Sequence, residues 1–178
     1  MKKSLIAGAG IAALGLAVVP FAGVFAADIT SMKDTINVTI EDACTFDTAS
    51  HSYTKTMTAS ASDTIGTTTM KVTCNNYSGY EVTGAYSALN GNGTNKISFS
   101  ESAPAAGTSS WAASAIVTID GGSPVAAAYL KNNAVVMSNS KQTIATGDTA
   151  AITYKAATSN NIAAGTYTGT ATYTLTKK

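Results

Sequence analysis

The sequence predicts an all-β protein that folds as an antiparallel β-sandwich. Short runs in which apolar residues alternate with Thr or Ser recur along the chain, and this alternation is typical of half-buried strands. Turn sequences such as NGNGTN and DGGSP separate the runs. The uncharged polar residues are mostly Thr, Ser, Asn and Gly, which favour strands and turns over helices. Strands in this arrangement bury their apolar faces by packing one sheet against another.

The first element is an export signal over residues 1–26. Lys2 and Lys3 precede an apolar stretch that ends near Phe25, and the sequence VFA places Val24 and Ala26 where a signal peptidase reads small side chains. We therefore expect a secreted or cell-surface chain in which residues 27–178 form a single domain. An uncleaved membrane anchor is the alternative, because an apolar stretch of about 20 residues could span a bilayer.

The next two elements each carry a cysteine. Cys44 and Cys74 are the only cysteines, and an exported chain with two cysteines is expected to form one disulfide bond. A metal pair or redox pair is less favoured, because there is no CxxC spacing and His51 is the single histidine. The apolar residues that share parity with the cysteines are Ile36, Val38, Ile40 and Phe46 in TINVTIEDACTF, and Met70 and Val72 in TTTMKVTC.

The remaining elements bring the total to about eight short strands. The last run places Tyr167, Gly169, Ala171, Tyr173 and Leu175 on one face and Thr on the other. AAGTSSWAASA and SPVAAAYLKNNA are the two candidates for a helix, which we expect to be short or irregular, with Trp111 as a core or loop anchor. The other runs lie at 80–82, 97–99, 116–119, 134–137 and 152–154.

Charge and motifs limit the function classes. The chain has 11 Lys and Arg against 10 Asp and Glu, a net charge of +1, so we expect neither nucleic acid nor an anionic membrane as a partner of the mature chain. Two S-x-x-K matches, Ser52–Lys55 and Ser138–Lys141, lie in strand-like or turn sequence, although this spacing needs a helix to activate the serine. We expect no enzyme, no cofactor and no metal site.

Three stretches together resemble a known family. TINVTIEDACTF, TTTMKVTCNNYSGYEVTGAYS and AAGTYTGTATYTLT are similar, in order and spacing, to the spore coat protein U domain and to the related archaic chaperone-usher pilin subunits. Cys44, Cys74, Gly165, Tyr167 and Tyr173 fall on matching positions, and the resemblance covers about half of the mature chain.

The resemblance implies an incomplete immunoglobulin-like sandwich, which the N-terminal segment of the next subunit completes. The donor would lie within residues 27–43, with Ile36, Val38 and Ile40 as its apolar row. The partners would be further subunits, identical or different, and a periplasmic chaperone that covers the open edge before assembly. The acceptor edge would be the last strand, with Tyr167, Gly169, Ala171, Tyr173 and Leu175.

Two functions follow as hypotheses. The first is a structural subunit of a surface fibre or coat, assembled by β-strand addition. The alternative is a self-contained secreted adhesin or carbohydrate-binding β-sandwich domain. They differ in whether residues 27–43 pair with a neighbouring subunit or within their own domain.

Overall fold

The computed structural model describes residues 35–143 and 146–178, so the signal peptide predicted at residues 1–26 lies outside the described residues. The chain divides into two units, Met1–Thr39 and Ile40–Lys178. The described residues contain strands and no helix, so the all-β prediction is confirmed, and none of them lies in a helix that could cross a membrane. The strands of the second unit are β1 Cys44–Phe46, β2 Ser62–Cys74, β3 Tyr80–Tyr86, β4 Leu89–Asn90, β5 Lys96–Phe99, β6 Ser110–Thr118, β7 Ala128–Tyr129, β8 Ala134–Asn139, β9 Asp148–Ala157 and β10 Ala171–Lys177.

Within these residues the strands form two sheets. The larger, seven-stranded sheet has the order β1-β2-β9-β6-β5-β4, with β7 also paired to β6, and the three-stranded sheet has the order β10-β3-β8. All pairs are antiparallel except β5 and β6, which are parallel. The prediction of a wholly antiparallel arrangement is therefore wrong at this pair. Side-chain alternation sets which face of a strand is buried and carries no information about the direction of its neighbour.

Apolar side chains from both sheets meet in one hydrophobic core. In β9 the alternation is regular, since Ala150, Ile152, Tyr154 and Ala156 are buried. Fully burying a side chain such as Ile152 contributes roughly 1.5–3 kcal/mol. The three-stranded sheet and β2 supply Tyr80, Val82, Met70 and Val72.

The predicted disulfide is confirmed, and it joins Cys44 to Cys74. The two cysteines lie directly opposite each other on β1 and β2. Because β1 has only three residues, the covalent bond is a large part of what holds it to the sheet.

Both helix candidates are strand or irregular structure instead. β6 begins inside AAGTSSWAASA, and Trp111, Ala113 and Ala115 are buried at the two-residue period of a strand. Trp111 is a core residue, and its Nε1–H donates to the Ser87 carbonyl at 3.0 Å. SPVAAAYLKNNA contains the two-residue strand β7, which pairs with β6.

The terminal strand is shorter than its sequence pattern predicts. β10 begins at Ala171, so Tyr167 and Gly169 lie before it, where Thr168 forms an isolated bridge with Asn90. A Cβ atom on Gly169 would lie 2.7 Å from the Ala88 carbonyl oxygen, so the chain here passes too close to its neighbour for regular alternation. Within β10 the alternation holds, because the core-facing residues are half-buried and the Thr residues are exposed.

Candidate functional site

An open groove of about 330 Å³ lies beside β10, and we call it the β10 groove. Its floor consists of Met70 from β2 with Ile152 and Tyr154 from β9. One wall is β10, through residues 171–173. The opposite wall is the end of β1, through Phe46, and the chain that follows it, through residues 48–51 and Tyr53. The groove therefore reaches buried core residues along one edge of the three-stranded sheet.

β10 is an edge strand of that sheet, and its hydrogen-bonding pattern can be read from its two ends. Ser87 N–H donates to the Thr170 carbonyl at 3.0 Å, and Lys178 N–H donates to the Gly79 carbonyl at 3.2 Å. Both pairs lie in one continuous register with β3, so the even-numbered residues of β10 bond to β3. The odd-numbered residues therefore point their backbone N–H and C=O groups toward the open edge, and their side chains face the core. These residues are Ala171, Tyr173 and Leu175.

Tyrosine residues cluster at the floor and wall of the groove. The Tyr154 and Tyr173 hydroxyls lie 3.0 Å apart, and the Tyr86 ring packs edge-on against the Tyr173 ring with centroids 6.0 Å apart. Burial raises the pKa of Tyr154 and of Tyr173 above the ordinary value of 10, and burial raises the pKa of Tyr86 to about 12. The phenols are therefore neutral at physiological pH, and the floor carries no charge of its own.

The opposite wall is held against β2 by side chains, because residues 48–53 form no strand. The Thr48 hydroxyl donates to the Thr69 carbonyl and accepts from the Lys71 N–H, each at 3.0 Å. The Tyr53 hydroxyl donates to the Thr67 carbonyl at 2.8 Å, and its ring lies where a Cβ atom on Gly66 would be. Within residues 35–143 and 146–178, no strand pairs with β10 on the side of the groove.

His51 also lies on this wall. Its Nδ1 is 3.2 Å from the Thr68 hydroxyl, and its ring stacks on Tyr53. The sequence pattern does not identify His51, Thr48 or Tyr53 as groove residues. Gly66, inside an otherwise Thr-rich strand, was the available signal, since an isolated Gly in a strand often marks a close approach.

One cluster joins the start of β1, the end of β2 and the end of β10, and we call it the clasp. It consists of Asp42, Asn75, Asn76 and Lys177. Lys177 Nζ lies 3.2 Å from Asp42 Oδ2, and Asn76 Nδ2 donates to the same oxygen at 3.1 Å. Asn75 Nδ2 donates to the Glu41 carbonyl at 3.1 Å, and its backbone N–H donates to the Ala43 carbonyl at 3.0 Å. The clasp therefore fixes residues 41–43 and the last residues of β10 at one place.

The predicted donor residues are exposed. Ile36, Val38 and Ile40 retain 85%, 78% and 81% of their accessible surface, respectively. Residues 35–43 form no strand, so the predicted strand over TINVTIEDACTF forms only at Cys44–Phe46. The residue types and the alternation of this segment are typical of a strand. Among the described residues, however, it pairs with no other strand.

The predicted acceptor residues separate into two groups. Ala171 and Tyr173 line the β10 groove, and Leu175 follows them on the same face of β10. Tyr167 lies elsewhere, with its ring against Gly91 and its hydroxyl donating to the Ala163 carbonyl at 2.8 Å. Gly169 lies against Ala88 and Leu89. Only the first group belongs to the open edge strand.

A buried carboxylate links the two sheets away from the groove. Asp148 is fully buried at the start of β9. It accepts from the Tyr80 hydroxyl at 2.7 Å, from Asn139 Nδ2 at 3.0 Å and from the Asp120 N–H at 2.8 Å. Asp148 therefore connects the start of β9 to β3, to β8 and to the chain after β6. The described residues contain no group of three or more His, Cys, Asp or Glu side chains that could hold a metal ion.

A second open groove, of about 470 Å³, lies between β7 and β8. Val125, Tyr129 and Val135 line it and are 62%, 38% and 51% exposed. It borders the other edge strand of the three-stranded sheet.

Comparisons with known proteins add no relative. No protein-family model matches the chain, and no match is found among curated proteins or solved structures. The functional interpretation therefore rests on the geometry of the β10 groove and on the sequence.

Proposed function

We propose that this chain is a secreted structural subunit of a surface fibre or coat that assembles by β-strand addition. In this proposal the two sheets form an immunoglobulin-like sandwich that lacks one strand, and the missing strand belongs between β10 and residues 48–53. A neighbouring subunit supplies that strand through Ile36, Val38 and Ile40, which we call the donor row.

The observation that carries the proposal is the open edge of β10 above an apolar floor. Strand addition needs unpaired backbone groups for affinity and pockets for alternate side chains for specificity. Ala171, Tyr173 and Leu175 offer the backbone groups. The half-buried Phe46, Tyr53 and Tyr173 offer apolar surface, next to the buried Met70, Ile152 and Tyr154. An edge of this kind left uncovered favours aggregation, and covering it with another strand is one way in which proteins prevent this.

The donor row has the chemistry that fits this groove. Its three β-branched residues recur at every second position, so in an extended chain they lie on one face at intervals of roughly 6.7 Å. The three core-facing residues of β10 have the same spacing. Asn37 and Thr39 alternate with the donor row and would face solvent. All three donor residues are exposed, so their burial in a neighbour would add to the stability of the assembly.

Export and a chaperone complete the proposal. The signal sequence at residues 1–26 would carry the chain out of the cytoplasm, where the Cys44–Cys74 disulfide can form. A periplasmic chaperone would occupy the β10 groove until the donor row of the next subunit replaces it. The assembled chain would then lie at the cell surface.

A matched pair of variants in the donor segment tests the proposal. Val38→Asp places a carboxylate in the donor row, whereas Thr39→Asp places the same charge one position away on the opposite face. Full-length protein with either change is exported, purified and sized by light scattering, and its fold is checked by circular dichroism. We expect Val38→Asp to give folded monomers and Thr39→Asp to assemble like the wild type, because an unpaired carboxylate is costly to bury.

Two outcomes would contradict the proposal. Equal assembly of both variants would show that the donor row is not buried between subunits. Loss of the folded monomer in Val38→Asp would show that this segment completes its own domain, as expected of a self-contained adhesin or carbohydrate-binding domain.

A further inference from the structure

The clasp lies at the point where the donor segment joins the folded domain. Residues 41–43 separate the donor row from β1, and all three are bonded to the clasp or belong to it. Lys177 Nζ contacts both the carboxylate and the backbone carbonyl of Asp42, at 3.2 and 3.3 Å. Ala43 is held on both sides, because its N–H donates to Asn75 Oδ1 and its carbonyl accepts from the Asn75 N–H.

The chain after the clasp forms a wall of the β10 groove. β1 begins at Cys44, and Phe46 and residues 48–53 line the groove. A donor row that filled the groove of its own domain would therefore lie directly beside the chain that follows it. The chain would have to reverse direction within residues 41–43, as it does in a tight hairpin. Those are the residues whose backbone and side-chain groups the clasp holds in place.

We infer that the clasp directs the donor row of each copy into the β10 groove of a second copy by opposing the reversal that self-insertion requires. This inference rests on the proposed function, since it concerns the same groove and the same donor. The partner is a second copy of this chain, and the clasp sets the balance between assembly and self-closure. The disulfide between Cys44 and Cys74 lies next to the clasp and keeps Asn75 and Asn76 close to the start of β1.

The test compares variants of full-length protein that break one exposed ion pair each. Asp42→Ala removes the central carboxylate of the clasp, which is about half exposed, so the domain is expected to remain folded. Asp63→Ala is the matched control, because it breaks the exposed Lys55–Asp63 pair away from the groove. The double variant Asp42→Lys with Lys177→Asp restores an ion pair with its charges exchanged.

Two quantities are measured for each protein. Light scattering gives the ratio of monomer to multimer, and hydrogen exchange reports protection of residues 36–40 and 171–175 in the separated monomers and in the multimers. We expect Asp42→Ala to raise the ratio of self-closed monomer to multimer about fivefold, the effect of losing one exposed ion pair with its hydrogen bonds. The control should match the wild type, and the charge-exchanged variant should recover much of the wild-type ratio.

The outcomes separate this inference from the proposed function. An unchanged ratio in Asp42→Ala, or an equal change in Asp63→Ala, overturns the role of the clasp while leaving strand exchange intact. If wild-type multimers form but residues 36–40 are unprotected in them, or if no multimers form, the proposed function fails and this inference fails with it.

Discussion

Removing the disulfide should destabilise the domain by several kcal/mol and loosen one wall of the β10 groove. Cys44 and Cys74 are separated by 30 residues, for which the chain-entropy relation gives about 3.6 kcal/mol. That is a large share of the 5–15 kcal/mol typical of a folded domain. Without the bond, β1 keeps its three-residue ladder to β2 and the hydrogen bonds on either side of it, from Ala43 to Asn75 and from Thr48 to β2. The groove wall continues directly from β1.

Urea unfolding of wild type and of the double variant Cys44→Ala, Cys74→Ala measures the effect. With slopes of roughly 1–3 kcal/mol/M for small proteins, the midpoint should fall by roughly 1–4 M. Thr45→Ala is the control, because Thr45 lies on β1 beside Cys44 and its side chain is exposed. A loss below about 1 kcal/mol, or a similar loss in the control, would refute this reasoning, because the short β1 would then hold without its cross-link.

Three further predictions concern buried and titrating groups. Asp148→Ala should lower the free energy of unfolding by about 3 kcal/mol or more, measured in urea, because it leaves buried donors unsatisfied. A hydrogen bond from Lys141 holds the pKa of Asp120 below its ordinary value of 3.8. As the pH falls, the carboxylate of Asp120 is therefore protonated in the unfolded chain before it is protonated in the folded protein. Thermal stability should therefore fall as pH drops below about 4, and Lys141→Met should weaken that fall. Burial raises the pKa of Tyr154 and Tyr173, so stability should persist to about pH 10 and decline above it. The tyrosinate absorbance of these two residues should then appear together with unfolding.

Each of these has a clear contrary result. A loss below about 1 kcal/mol in Asp148→Ala would mean that water replaces the carboxylate without penalty. If the thermal stability of Lys141→Met fell with pH as that of the wild type does, the Lys141–Asp120 ion pair would not be the cause of the fall. If all eight tyrosines gave tyrosinate absorbance in the still-folded protein, with no increase on unfolding, the phenols at the groove would be exposed.

Local pattern was enough to predict the strands and the disulfide. The period of two in β9 and β10 places Ile152 and Tyr173 toward the core, because successive side chains in a strand point to opposite faces. The pairing of the two cysteines follows from their number in a chain with a predicted export signal. No long-range information was needed for these features.

Pairing partners were beyond the reach of local pattern. The parallel contact of β5 with β6 depends on how residues 100–109 return the chain, which alternation does not encode. The end of alternation at Gly169 depends on the backbone of Ala88, a neighbour far away in sequence. The wall of the β10 groove depends on Thr48 and Tyr53 bonding to β2 through side chains, so a segment with no strand still shapes the site.

Strand exchange between subunits is tested most directly by a non-reducing gel of protein extracted from the surface of the cells that make it. Unboiled and boiled samples are run side by side. We predict a ladder of multimers in the unboiled lane that collapses to one band on boiling, because strand-added subunits are held by a full backbone ladder without covalent bonds. A single band of mature-chain size in both lanes would contradict strand exchange and would favour a self-contained secreted domain.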